Sequence, residues 1–218
     1  MTGEAIDSSS RNSGPARKQT RIQTENRDRL LEAALDMFSR SGFRGTTLDQ
    51  IARQAGMSKS NLLYYYPSKS QIYKAVLGEI LTEWLAPLRA LDVSGDPADE
   101  LGGYISRKLQ HSAENPRASR LFANEVLEGA PMMMEVLQGP LRDLVDAKVQ
   151  IIRTWIDQGR LRAVDPYHVI FMIWATTQHY ADFETQIHAI TGRSIEQPAF
   201  QSEAEKTLKA IFLNGLIP

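Results

Sequence analysis

Lys59, Ser60, Asn61, Tyr64 and Tyr65 fall within seven consecutive residues and bring together an ammonium, a hydroxyl, an amide and two phenols. Groups of this kind give and take hydrogen bonds without activation, so they suit the binding of base edges and phosphates better than covalent catalysis. Thr46 and Thr47 stand before this cluster and Ser68 and Lys69 after it. Each pair opens an expected helix, where hydroxyls and exposed N–H groups attract an anion. The cluster sits in TLDQIARQAGMSKSNLLYYY, residues 47–66. That run reads as a short amphipathic helix, a tight turn at Gly56-Met57-Ser58 and a second short helix, which is helix-turn-helix spacing. Ala52 is small where the second helix must approach, Gly56 allows the positive φ of the turn, and Met57 fills the angle between the helices. Leu62, Leu63 and Tyr66 share the face that would turn inward.

A second constellation lies near the far end of the chain. Phe171, Trp174, Gln178 and Ala181 recur at helical spacing on one stripe, with Gln178 the only amide among apolar neighbours. A buried primary amide offers two donors and an acceptor, the complement of an adjacent N–H and C=O on a flat heterocycle. Trp174 or Trp84 could supply a stacking face, and Phe122 and Glu125 could close the site. The same spacing also suits plain packing, with Gln178 bonded to a neighbouring carbonyl, so the stripe alone leaves both readings open. Met132, Met133 and Met134 carry no assigned role.

Catalysis finds no support. His111, His168, His179 and His188 are scattered, with no HExxH and no Glu-x-x-His pair to ligate a metal. GxSxG and GxxxxGK[ST] loops are absent, there is no Cys, and Asp182 three residues after His179 reads as a surface pair. No catalytic residue, metal ligand or cofactor is expected.

These residues need helices to hold them, and helical periodicity runs through nearly the whole chain. Leu30, Ala34, Met37 and Phe38 mark a helix over about 25–41, ended by Gly42 and Gly45. Thr47 and Ser58 cap the two short helices, and Pro67 closes the second. Ser68 opens a long helix to about Leu91, carrying Ile72, Val76, Ile80, Leu81, Trp84 and Leu88 inward. Further helices are expected over 98–114, 117–127, 132–158, 166–190 and 201–213, separated by Gly and Pro breaks. No run alternates as a strand does, and no repeat of fixed period appears. The expected fold is all-α. A disordered basic arm covers residues 1–24, a helix-turn-helix domain 25–70, and a helical ligand-binding and dimerisation domain 71–218.

With the elements placed, a resemblance becomes visible. The stretch LLEAALDMFSRSGFRGTTLDQIARQAGMSKSNLLYYYPSK, ending at Lys69, resembles the DNA-binding domain of the TetR family of bacterial transcriptional regulators, whose signature runs GF…TT…IA…AGVS…LYYHF.SK. Leu63, Tyr65 and Pro67 depart from it where the family often has Tyr, His and Gly. The resemblance implies phosphate contacts for Thr47, Tyr65 and Lys69, and positions at or beside bases for Ser58, Lys59, Ser60, Asn61 and Tyr64. LLYYYPSK, EWLAPL, ASRLF and HVIFMIWATTQHYADF further resemble the pyrimidine-utilisation repressors of that family. What this implies is a homodimer on double-stranded operator DNA with uracil as its small-molecule effector; an unrelated small apolar ligand, or none, is the alternative.

Composition agrees with a regulator of this kind. Residues 1–69 hold 11 Lys and Arg against 7 Asp and Glu, while the remainder holds 14 against 19. A polyanion partner is therefore expected at the first part only. The 42% hydrophobic and 23% charged content is that of an ordinary globular chain. No apolar run reaches the roughly 18 residues of a spanning helix and the first residues are polar, so no membrane partner and a cytoplasmic location are expected. Dimer contacts are expected from Ile170, Ile173 and Thr177 with Leu208, Ile211 and Phe212. The helix from Ser68 to Leu91 is expected to carry the effector signal, because it joins the reading head and bears Trp84.

Overall fold

The computed structural model describes residues 14–218, with side chains from Arg21 onward. The part of the expected arm before Gly14, with Arg11, lies outside the described residues, as do the Arg17 and Lys18 side chains. From Gly14 the chain is already helical, so disorder does not extend to residue 24. Ala16, Arg17, Lys18, Gln19 and Arg21 are strong helix formers, and elongating an existing helix avoids the cost of nucleation.

Helix α1 (Gly14–Gly45) is broken at Gly42, whose φ of 67° only glycine adopts without strain. It is followed by α2 (Leu48–Gln54), α3 (Lys59–Tyr65) and α4 (Lys69–Arg89). Thr47 closes a full capping box with Gln50, and Ser58 and Ser68 each accept a backbone N–H three residues on. Leu30, Ala34 and Phe38 of α1 meet Ile51 and Ala52, Leu62, and Ile72 and Tyr73 in one buried cluster. Phe38 sets its ring edge-on to Tyr73 at 4.9 Å. Gly56 takes φ 65° and Met57 is half-buried against the core, as their spacing predicts. Leu63 differs: it is exposed, because the seven-residue α3 buries a stripe only wide enough for Leu62.

The body comprises α5 (Pro97–Glu114), α6 (Pro116–Leu127), α7 (Met134–Val136), a π turn (Leu137–Leu141), α8 (Arg142–Asp157), α9 (Pro166–Asp182), α10 (Glu184–Thr191) and α11 (Pro198–Leu216). Asp96 and Asp165 cap α5 and α9 ahead of a first-turn proline. Among the described residues there is no strand, and no helix is long and apolar enough to cross a membrane. The single helix expected over 132–158 is instead interrupted by the π turn at Pro140, which cannot donate to the ladder. That expected over 166–190 breaks at Phe183, and the chain restarts as α10 until Gly192 stops it at φ 68°.

Helix α5 is the centre of the body, packed by α4, α6, α9 and α11. Its partners use the residues assigned above to the dimer. Ile170, Ile173 and Thr177 are fully buried within the chain, and Leu208 and Phe212 nearly so; only Ile211 faces outward. The outer faces of α9 and α11 present Phe171, Met172 and Ile211 instead, all large and exposed. Sequence periodicity finds an apolar stripe but does not say which of two apolar stripes the protomer keeps for itself.

Candidate functional site

The exposed face of α3 is built by two caps and one buried leucine. Leu62 anchors the helix, Ser58 fixes its start through the Asn61 N–H at 3.1 Å, and Ser60, Asn61 and Tyr64 are thereby turned to solvent. Tyr64 is 73% exposed and stacks edge-on against the half-buried Tyr65. The Ser60 hydroxyl, the Asn61 amide and both phenols have no hydrogen-bond partner among the described residues, so all are free for an external one. Lys59 pairs with Asp49 at 2.9 Å, an exposed contact that a phosphate displaces at little cost.

Two neighbours, Thr46 and Lys69, are engaged inside the head, while Thr47 caps α2 as expected. Thr46 is buried and its hydroxyl donates to the carbonyls of Met37 at 3.1 Å and Gly42 at 2.8 Å, so it ties α2 to the broken end of α1. The Lys69 ammonium donates to the carbonyls of Phe43 and Thr46 and lies 4.5 Å over the Phe43 ring, capping that same end. Thr47 donates its hydroxyl and backbone N–H to Gln50. The kink at Gly42 strands carbonyls that periodicity does not reveal, and these side chains satisfy them. Thr46→Val should therefore cost about 1 kcal/mol of stability and leave operator affinity of the folded protein unchanged, as thermal melts and gel retardation would show.

A cavity of about 780 Å³ opens in the body between α4, α5, α6, the π turn and α9. Trp84, Phe122, Trp174 and Gln178 line it, as the sequence predicts. Trp84 and Phe122 set their ring centroids 6.2 Å apart. The Trp174 indole N–H donates to the Tyr104 hydroxyl, which fixes the ring and leaves its face to the cavity. The Gln178 amide finds no partner among the described residues.

Glu125 and Phe171 are not part of this wall. Glu125 is buried on the far side of α6, where it accepts the Met132 N–H at 2.7 Å and bonds the Tyr73 hydroxyl of α4. Burial, then Glu125, hold the Tyr73 phenol well above its ordinary value. Phe171 is 47% exposed one turn beyond the stripe's buried edge. At about 100° per residue these four positions spread over roughly 80° of helix surface, and Phe171 falls at the outer limit.

Sequence reasoning passed over Lys108, Arg120 and Asp182, which the fold brings to the cavity wall. Asp182 is no surface pair with His179. It accepts the Ser119 hydroxyl, and burial raises its pKa from the ordinary carboxylate value. Arg120 donates to Glu184 and the Ala181 carbonyl, each at 3.1 Å. The signal for Lys108 was present: it shares the period of Leu101, Tyr104, Ile105 and Ser112 on the buried stripe of α5.

Head and body are joined twice. Helix α4 runs from the head to Trp84. Helix α6 carries in its first turn Arg117, whose guanidinium pairs with Glu32 and, at 3.5 Å, with Asp36 of α1, and it continues to Phe122 on the cavity wall.

A three-helix head exposing a short polar helix, set on a helical body that holds a partly open cavity, defines a DNA-binding transcriptional regulator of the helix-turn-helix class. The head matches the sequence profile of the bacterial regulatory proteins of the tetR family over residues 30–76, and the body that of the YcdC-like protein C-terminal region over 77–218. The chain belongs to the TetR family. It is 46% identical over 201 residues to the HTH-type transcriptional regulator RutR of Escherichia coli (strain K12), covering 92% of this chain and 95% of that one. It is 33% identical over 100 residues to the HTH-type transcriptional repressor SCO4008 of Streptomyces coelicolor, over 46% of this chain and 49% of that one. The fold is shared with the ketosteroid transcriptional regulator KstR2 of Mycobacterium tuberculosis, at TM-score 0.69 and 22% identity over 88% of this chain and 95% of that one. A putative fatty acid metabolism regulator of Clostridium perfringens aligns at TM-score 0.67 and 20% identity over 87% and 99%. These relatives are regulators, and the chain is no enzyme.

Proposed function

We infer that the protein is a homodimeric repressor that releases a palindromic operator when a small planar ligand, uracil or a related pyrimidine, enters the body cavity. Residues 25–70 serve as the reading head and 71–218 as the effector and dimerisation domain. The observation that carries the effector half is the unpartnered Gln178 amide facing a cavity walled by Trp84, Phe122 and Trp174. Flat aromatic walls accept a flat ring, and a free amide complements a lactam edge. The resemblance to the pyrimidine-utilisation repressors points the same way.

At the head, Ser60, Asn61 and Tyr64 face the bases, Lys59 and Tyr65 lie beside them toward the backbone, and Thr47 reaches phosphate only by giving up its bond to Gln50. Two heads about 34–36 Å apart are needed to enter successive major grooves, which a two-fold dimer supplies. Its contact falls to the outward Phe171, Met172 and Ile211, since the residues first assigned to it are spent within the protomer. Ligand in the cavity pushes on α4 through Trp84 and on α6 through Phe122, and both helices end on α1 or continue into the head. A coupling of about 1–3 kcal/mol suffices to regulate.

The cavity volume favours a second reading, an apolar effector larger than a single pyrimidine ring. Thermal shift with pyrimidines and with larger apolar ligands separates the two. The first reading is tested by operator retardation with and without uracil: wild type should release the duplex, and Gln178→Leu should need about tenfold more uracil, as the loss of a hydrogen bond to the ligand predicts. Equal operator affinity with and without saturating uracil would refute it.

A further inference from the structure

Lys108 is a buried ammonium with no hydrogen-bond partner among the described residues. It is 3% exposed, on the wall of the cavity, with Nζ 4.2 Å from the centroid of the Trp84 ring. No oxygen among the described residues takes a hydrogen bond from it. An ammonium carries three donors, and the face of one indole satisfies at most one of them. A lysine is costly at such a place unless a partner arrives.

The charged groups around it come from three helices. Asp182 of α9 acts on it as the counter-charge, although its carboxylate is already engaged by Ser119. Arg120 of α6 is committed to Glu184, and His179 of α9 lies against the Phe183 ring at 4.8 Å. His111, one turn along α5, is half-buried and held below its ordinary pKa by burial and then by Lys108 itself. Helix α4 brings only Leu81, Trp84 and Leu85 to the cavity. Burial lowers the Lys108 pKa to about 7, with Asp182 opposing.

We propose that Lys108 is the anchor of the effector, donating to an exocyclic oxygen of the planar ring, and that binding loads a proton onto its amine. This rests on the reading of the cavity as a pyrimidine site and specifies how that site holds its ligand. A ring carbonyl that accepts from Nζ stabilises the charged form, offsetting the desolvation that depresses it in the empty protein. Above neutral pH the empty protein then holds the free amine and the complex the ammonium. One proton is taken up per ligand, and affinity falls by about tenfold per pH unit until the pKa of the complex is reached.

Isothermal titration of the full chain with uracil at pH 8, in phosphate and in Tris, reads the proton uptake from the difference in heat. Wild type should take up close to one proton per site and bind roughly fivefold more tightly at pH 7 than at pH 8, since Lys108 is only half charged at pH 7. Lys108→Met should lose both the uptake and at least tenfold of the affinity, with circular dichroism confirming that it is folded. Carbon NMR of the lysine ε-methylenes should show one signal titrating near neutrality, missing in Lys108→Met and displaced upward by uracil. Buffer-independent heat in wild type overturns the inference, as does proton uptake that persists in Lys108→Met, which would belong to another group on the cavity wall, such as Asp182. Failure of wild type to bind uracil under any of these conditions overturns the pyrimidine reading itself and takes the inference with it.

Discussion

Lys108→Met should unfold at higher temperature than the natural chain, by roughly 2–5 kcal/mol of stability below neutral pH, as the removal of a desolvated charge predicts. The sign follows from the pKa. Lys108 titrates near 7 in the folded protein and near its ordinary 10.5 when unfolded. Below pH 7 both states hold the proton and the full cost of burying the ammonium is present. Between pH 7 and about 10 the folded chain has shed it and the unfolded chain has not, so the stability of the wild type climbs with pH. The advantage of the variant should therefore be greatest at pH 6 and fade toward pH 10. Methionine fills the same volume and interacts well with the Trp84 ring. A variant no more stable than wild type at pH 6 would mean that Lys108 is compensated within the protein. A residue retained against this penalty, in a site where an external oxygen would relieve it, is the pattern of function held at the expense of stability.

The second large effect belongs to the head. Tyr64→Ala should weaken operator binding by about 1–3 kcal/mol, the range of one good base-edge contact, with the salt dependence of binding unaltered. Lys59→Ala should weaken binding less selectively and lower the slope of log affinity against log salt by about 1, because one phosphate loses its cation. Neither change should unfold the protein, since Tyr64 is 73% exposed and Lys59 has only an exposed partner in Asp49. Fluorescence anisotropy on a palindromic duplex at several salt concentrations measures both. Equal slopes for Lys59→Ala and wild type would place Lys59 off the phosphates.

Much of the fold was legible because its boundaries are local chemistry. Thr47, Ser58, Ser68, Asp96 and Asp165 cap helices by hydrogen bonds to N–H groups two or three residues away, and such contacts need no knowledge of the rest of the chain. The polar face of α3 was legible for the same reason. What sequence could not give depends on distant partners. Thr46 and Lys69 have the right types for phosphate, yet the break at Gly42 leaves carbonyls that claim them. Glu125 stands on a helix that does line the cavity, but on the face turned away from it, where Tyr73 and Met132 hold it. Ile170 and Phe171 are neighbours in sequence and opposite in fate, because α5 occupies one side of α9 and leaves the other bare. Lys108 was missed for a different reason: a lysine among apolar residues reads as a side chain that will reach past them to water.

Arg117 has one more consequence. Its pair with Glu32, 60% exposed, is open to solvent and loosens as dissolved ions rise, while its pair with Asp36, 13% exposed, is screened less. The grip of the head on its duplex slackens with ionic strength as well. For gene control these losses pull in opposite directions. On the proposed mechanism a looser grip would free the operator, while a looser joint would weaken the link from the cavity to the head, so an osmotic upshift would blunt the response at both ends of its range.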